Sequence, residues 1–313
     1  MRVATRTLPC EQPFDVALTF GPLSHGPASR VAKNDWWHAM NTPDGAVTVH
    51  VHVDRTRGAV EVEAWGDARE WIIERARDLL GFDGEASVFA PTDPMIASLR
   101  HELSGMRLAR VGCSLDVAAA TVIEQRVTTV EARRSWRMLV FRHGNPAPAR
   151  PELRVPPSAD VLRALPDWEW KHMGVEWRRS QTVRTVAAES GRIDRTVERG
   201  TVALDRRLRT LRGVGAWTAA TVVHYVAGDP DAVPVGDWHL PGHVGHALAG
   251  DARADDARML ELLEPFRPHR AWVWRMIVAG TPAPPRRAPR ARIIGLLQAE
   301  ANRPRGTTRF ARR

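Results

Sequence analysis

The chain is poor in the residues that staple small folds or hold metal clusters. Of its 313 residues only Cys10 and Cys113 are cysteines. Two thiols exclude a disulfide framework, a four-cysteine zinc site and a cysteine-held iron–sulfur cluster. No apolar run approaches the roughly 18–20 residues that cross a bilayer. The opening MRVATRTLPCEQPFD meets Pro9, Glu11 and Pro13 before any apolar stretch, so it does not read as a secretory signal. A soluble, cytoplasmic protein with no membrane partner is the expectation. Lysine is almost missing: Lys33 and Lys171 are the only two, so 43 of the 45 basic residues are arginines. Tyr225 is the single tyrosine, against 12 tryptophans.

Apolar residues make up 43% of the chain, enough for a substantial core, and the length suggests about two domains. The net charge is +9. From Arg286 onward, nine arginines face a single acid, Glu300, a net of +8 in 28 residues. The excess therefore sits in the tail, which suits contact with nucleic acid. A solvated tail in an arginine-rich composition is the alternative.

Residues 46–53 (AVTVHVHV) and 59–65 (AVEVEAW) alternate strictly around the turn DRTRG, which predicts an antiparallel hairpin. A helix follows over 67–80, with Asp67 as its N-cap and Gly81 as its stop. Beyond residue 90, helical segments alternate with proline and glycine punctuation. Helices are expected near 92–103, 115–126, 128–142, 158–164, 176–189, 194–206, 215–227, 238–248, 254–264 and 268–279. Pro-rich breaks fall at 144–157 and 281–290. The division is an α+β unit over 1–88, a helical body over 89–285 and an Arg-rich tail over 286–313, helical in part at 292–301.

The stretch DRRLRTLRGVGAWTAATVVHYVAGDPDAVPVGDWHL, residues 205–240, carries the most chemistry. Leu211-Arg212-Gly213-Val214-Gly215 lies between two helical patterns, and Thr218 belongs to the start of the second. Two glycines one residue apart permit a tight turn and the close approach of another backbone. Free N–H groups at a helix start favour an anion such as a phosphate. An ordinary turn between helices is the plainer alternative. Asp237 follows Pro234-Val235-Gly236 and precedes a helix, where an aspartate serves as an N-cap. A capping aspartate stays ionised, so catalysis and capping are compatible.

Together, LRGVGAWTA, a helix and AVPVGDWHL resemble the helix–hairpin–helix DNA glycosylase superfamily. Residues 122–131 (VIEQRVTTVE), 173–184 (MGVEWRRSQTVR) and 261–280 (ELLEPFRPHRAWVWRMIVAG) extend the likeness to roughly 85–285. Within the superfamily, Gly215-Ala216-Trp217-Thr218-Ala219 is most similar to the 3-methyladenine DNA glycosylase II family. The resemblance implies a mainly α helix–hairpin–helix glycosylase fold with a small N-terminal α+β domain. It places the catalytic aspartate at Asp237 and gives the grip on DNA to Leu211, Gly213, Val214, Gly215 and Thr218. It implies that Gln125 and Arg126 prop the duplex where a base has been flipped out, although the relatives carry a bulky apolar residue in place of Arg126. It implies no organic cofactor; a structural Na+ or K+ would sit on the carbonyls of Arg209, Leu211 and Val214 when DNA is bound.

Bifunctional members of that superfamily carry a nucleophilic lysine two residues after the last hairpin glycine. Trp217 stands there, and an indole forms no Schiff base, so a hydrolase without lyase activity is expected. The positive charge on N3- or N7-alkylated purines is drawn to aromatic faces. Trp217, Trp238, Trp272 and Trp274 are therefore the candidate base-pocket residues, while Val278 falls where the relatives have a stacking tryptophan. Glu124 reads as a salt-bridge partner. His239, His243 and His246 share a helical face, but Pro241 and Gly242 interrupt it and no acid completes a metal site.

The expected activity is hydrolysis of alkylated purines (3-methyladenine and 7-methylguanine type) from damaged double-stranded DNA in base excision repair, by a monomer associated with the nucleoid. Two alternatives stay open. One is a glycosylase of the same fold for oxidised or deaminated bases. The other is a DNA-binding protein that keeps the hairpin without catalysis.

Overall fold

The computed structural model of the chain describes residues 2–24, 26–84 and 89–284. The Arg-rich tail from 286, its expected helix at 292–301 and the expected boundary residue 88 lie outside the described residues.

The chain begins with β1 (Val3–Pro9), α1 (Val16–Phe20), β2 (Ser29–Val31), β3 (Asp35–Thr42), β4 (Gly45–Asp54) and β5 (Ala59–Gly66). These strands form one antiparallel sheet in the order β1-β5-β4-β3-β2. The predicted β4–β5 hairpin is there. Its turn is closed by Asp54, whose Oδ1 accepts from the Thr56 and Arg57 amides at 2.9 and 3.1 Å. The strand β3 does not alternate in sequence because both of its faces are covered. Trp36 and Met40 enter the main core, while Ala39 lies under a second hairpin.

The helix expected over 67–80 is two short pieces, α2 (Arg69–Glu74) and α3 (Ala76–Leu79). Its N-cap is Ala68 rather than Asp67 and makes no side-chain bond. Arg75 breaks it, with its guanidinium 4.5 Å from the centre of the Trp71 ring. Next come α4 (Pro94–Glu102), α5 (Leu115–Glu124) and α6 (Thr129–His143). Thr128 and Glu131 cap α6 reciprocally.

The Pro-rich stretch 144–157, expected as a break, contains the hairpin β6 (Asn145–Ala147) and β7 (Arg150–Val155). Two-stranded pairing tolerates Pro146 and Pro151 because each strand has a free edge for the missing N–H. The remaining helices are α7 (Ala159–Ala164), the unanticipated α8 (Asp167–His172), α9 (Trp177–Val197), α10 (Thr201–Arg209), α11 (Ala216–Ala227), α12 (Leu240–Ala249), α13 (Asp256–Leu263) and α14 (Arg270–Gly280). Helix α9 was expected to end at 189. It runs straight through Gly191 because Val183, Val186 and Ile193 are fully buried along one face, outweighing the roughly 1 kcal/mol that glycine costs inside a helix. The chain turns instead at Gly200, with φ +92°.

Two hydrophobic clusters organise these elements. The first joins the sheet to α5, α6 and α9–α11, so the N-terminal unit and the helical body share one continuous core. The second is built from α4 and α12–α14. No helix among the described residues is long and apolar enough to cross a membrane.

Candidate active site

The hairpin between α10 and α11 is tight because Gly213 allows it. Its φ is +88°, and a Cβ there would collide with the Thr182 side chain. Leu211 and Val214 are buried, 8% and 7% exposed, so they anchor the turn and leave its backbone outward. Gly215 opens α11 in extended conformation. A Cβ on Gly215 would meet nothing within 4 Å, so that surface is open to an outside partner. Thr218 is turned inward at 3% exposure.

Gln125 closes the hairpin from the end of α5. Its Nε2 donates to the Gly213 carbonyl at 3.0 Å and to the Thr218 hydroxyl at 2.8 Å. Buried Arg179, which the sequence did not single out, holds that helix end by donating to the Ile123 carbonyl at 2.7 Å. Arg126 is the exposed tip of the loop, with φ +56°, an uncommon left-handed conformation for a non-glycine residue. Gln125 thus braces the hairpin, and Arg126 is the side chain presented to solvent. Arg209 lies on the exposed side of α10 and pairs with Asp205.

Asp237 lies between the two clusters. Gly236 before it turns at φ +96°, and the Gly236 amide donates to Asp256 at 3.0 Å. Asp237 Oδ1 accepts from the amides of His239 and Leu240, both at 2.8 Å, so it caps the turn that leads into α12, which starts at Leu240 with His239 in the N-cap position rather than at 238. Its Oδ2 accepts from Trp217 Nε1 at 3.0 Å. All these donors suit an ionised carboxylate. The loop leading to Asp237 is clamped from α14. Arg270 Nε donates to Asp231 at 2.8 Å, and Trp274 Nε1 donates to the Ala232 carbonyl at 2.9 Å. These clamps join residues some forty positions apart and leave no local sequence signal.

Beside Asp237 opens a cavity of about 340 Å³, within the usual range for small-molecule sites. Trp136, Trp217, Tyr225 and Trp274 give it aromatic walls, and Val278 lies at its edge. Trp238 and Trp272 do not line it. Trp238 is 84% exposed. Trp272 packs in the second cluster with the Arg100 guanidinium 5.7 Å from its ring centre. Two residues apart on a helix means about 200° of rotation, so Trp272 and Trp274 face opposite ways.

The charges in the cavity are one-sided. Asp116, Glu124 and Asp237 line it, while no lysine or arginine does among the described residues. Burial pushes the Glu124 carboxyl up; Arg133 opposes that shift and Asp237 adds to it. Asp116 is tied to β3, with Oδ2 accepting from the Asn41 amide and Oδ1 from its side chain, both at 2.8 Å. Burial nevertheless raises Asp116 to about 7, against those two bonds and with help from Asp194. Burial lowers His224 to about 3, so its ring is neutral at physiological pH. His239 and His243 also line the cavity. Helix α12 runs unbroken through Pro241 and Gly242, since proline is tolerated in a first turn. His243 is held by the Thr281 hydroxyl at 3.0 Å, and His246 forms no metal-ready group with it among the described residues.

No family model matches the chain. It is 24% identical over 243 residues to the probable bifunctional transcriptional activator/DNA repair enzyme AlkA of Mycobacterium tuberculosis. That match covers 74% of this chain but 49% of the relative, so the chain spans about half the length of the curated relatives it matches. Among solved structures, it is similar to the 3-methyladenine DNA glycosylase of Archaeoglobus fulgidus, with TM-score 0.72 and 18% identity, covering 87% of this chain and 97% of the other. It is also similar to the 8-oxoguanine glycosylase/lyase of Clostridium acetobutylicum in complex with DNA, with TM-score 0.66 and 11% identity, covering 89% and 97%. The shared feature is the fold: this chain has the helix–hairpin–helix DNA glycosylase fold, mainly helical with a small antiparallel sheet.

Proposed function

We propose that this chain is a monofunctional DNA glycosylase that hydrolyses the N-glycosidic bond of cationic, alkylated purines in duplex DNA during base excision repair. The observation that carries the reading is the cavity beside Asp237, lined with aromatic rings and three carboxyl groups and with no basic side chain among the described residues. A 3- or 7-alkylated purine is positively charged. Each aromatic face attracts such a ring by about 0.5–2 kcal/mol. A carboxylate about 4 Å away adds on the order of 4 kcal/mol at an effective dielectric of 20. A neutral base gains little from either and still meets the cost of leaving its stack.

Asp237 is the catalytic residue in this reading. As the base departs with its bonding electron pair, positive charge develops on the sugar. A carboxylate oriented beforehand by Trp217, His239 and Leu240 stabilises that charge without reorganising. The same group orients the attacking water and takes up its proton. Trp217 positions the carboxylate in place of the nucleophilic lysine that a lyase uses. Neither Lys33 nor Lys171 lines the cavity, which supports hydrolysis alone.

The hairpin backbone around Gly213 and Gly215 would receive a phosphate, and Arg126 would enter the opened duplex. A monovalent cation would be held by the carbonyls of Arg209, Leu211 and Val214. The Leu211 carbonyl already accepts from the Val214 amide at 3.0 Å and keeps a second lone pair, so the oxygen set suits Na+ or K+. Such an ion would add positive charge at the hairpin.

The experiment is release of free base from duplexes carrying 3-methyladenine, 7-methylguanine, 8-oxoguanine or uracil. Methylated purines should be excised at least tenfold faster than the neutral lesions. Preferential release of 8-oxoguanine or uracil would overturn the choice of lesion. No release from any duplex, with normal duplex binding, would favour the non-catalytic reading.

A further inference from the structure

The outer face of the N-terminal sheet, covered in part by the β6–β7 hairpin, carries a group of side chains that the glycosylase reading does not use. Strand β4 presents His50 and His52, two apart and so on one face. Its register sets Asp35 of β3 opposite His52, and Glu63 of β5 opposite His50. The other face of β4 is core: Val49 and Val51 are fully buried and Val53 nearly so. None of the four polar residues lines the cavity beside Asp237.

Two imidazoles converge on a single carboxylate oxygen. His50 Nε2 and His52 Nδ1 each lie 2.9 Å from Asp35 Oδ1. One ligand atom from each of Asp35, His50 and His52 falls within 4.8 Å of the others. The far nitrogen of His50, Nδ1, lies 3.0 Å from Glu63 Oε2. The His50 ring is also clamped between partners. Trp37 stacks on it with centroids 3.9 Å apart and planes 12° from parallel, and Arg150 covers Trp37 at 4.0 Å.

We propose that Asp35, His50 and His52 form a site for a divalent transition ion of the zinc class. A tetrahedral zinc ion with bonds of about 2.0–2.1 Å sets neighbouring ligand atoms about 3.3 Å apart. The Asp35–His50 and Asp35–His52 separations are within a few tenths of an ångström of that, so only a small opening admits the ion. Glu63 supplies what a zinc-binding histidine usually has behind it, a carboxylate that accepts the other ring N–H and fixes the tautomer. Two imidazoles with one carboxylate is a mixed nitrogen and oxygen set that suits zinc rather than calcium or magnesium. His52 has 39% of its side chain exposed, so water completes the coordination. The ion ties β3 to β4. Because β3 also carries His38 and Met40 of the cavity wall and Asn41, which holds Asp116, the ion would fix the strand that shapes the far side of the cavity.

The test uses the full chain without an affinity tag, stripped with chelator and titrated with Zn2+ by calorimetry, with bound metal counted after dialysis. Co2+ serves as a second probe, since a tetrahedral site gives it strong visible absorption. One ion per chain is expected, with a raised unfolding temperature and proton release on binding. His52→Gln and Asp35→Asn should each abolish stoichiometric binding and the thermal shift. Glu63→Gln should weaken binding by about 10–100-fold while keeping the stoichiometry. Circular dichroism of the metal-free variants reports folding separately, since the three side chains are each partly exposed. The proposal is overturned if the unaltered chain takes up no ion, or if His52→Gln and Asp35→Asn bind as well as the parent. It stands or falls independently of base excision.

Discussion

Asp237→Asn separates the two jobs assigned to one side chain. The amide keeps an oxygen for the His239 and Leu240 amides, so the cap on the turn into α12 survives. Its NH2 then faces Trp217 Nε1–H across 3.0 Å, donor against donor. Losing a charge-assisted bond costs about 1.5–3 kcal/mol, and stability should fall by that order. The effect on rate has a different origin. A unit charge about 4 Å from the developing sugar cation is worth on the order of 4 kcal/mol at an effective dielectric of 20. Its removal should slow excision roughly a thousandfold. Single-turnover release of 7-methylguanine measures the rate, urea unfolding measures stability, and duplex affinity should not change. Adding Trp217→Phe removes the opposed donor, so the double variant should recover stability and no activity. If Asp237→Asn kept its rate within tenfold of the parent, or if the double variant regained activity, Asp237 would not be the group that stabilises the sugar.

Four further outcomes follow from the geometry. Gly213→Ala forces a Cβ against Thr182 at φ +88° and should cost about 1–3 kcal/mol in urea unfolding while weakening duplex binding; a change under about 0.5 kcal/mol would mean the hairpin relaxes. Asp116 is raised in the fold to about 7 from 3.8, so its contribution to stability is full below pH 4 and is lost as pH rises toward 7. Urea midpoints from pH 4 to 8 should therefore fall less steeply in Asp116→Asn, and parallel curves would refute the assignment. Borohydride should trap no covalent complex with abasic or methylated duplex, because neither lysine reaches the cavity; a trapped band would restore a lyase. Removing residues 286–313 should flatten the dependence of log affinity on log salt by about 0.9 per lost phosphate contact, and an unchanged slope would mean the tail points elsewhere.

The parts of the site that lie close together in sequence were legible there. The hairpin 211–215, Trp217 and Asp237 fall within 27 residues of one another, and their spacing alone implied a turn, a helix start and an aspartate at a helix cap. The cavity was not legible, because its walls come from β3, α5, α6, α11, α12 and α14. That is why Asp116, Asn41 and Trp136 escaped notice, why Tyr225 stood out only as the single tyrosine, and why the two aromatic positions of α14 were assigned alike although a helix turns them apart. The β4–β5 hairpin was legible because it has one dry and one wet face. Strand β3 was not, since a second hairpin covers its outer side and erases the alternation. The helix expected to end at 189 runs on because local propensity knows nothing of the packing against α5, α7 and α10 that carries α9 past Gly191.

The cavity beside Asp237 is walled on one side by residues of the sheet-centred cluster and on the other by α12 and α14 of the second cluster. Its shape is therefore a joint property of two interiors that pack separately. A methyl group gained or lost deep in either one tilts a wall without touching a lesion-contacting atom. In the glycosylase proposed above, lesion preference would therefore drift through substitutions far from DNA, and comparisons restricted to the lining residues would miss them.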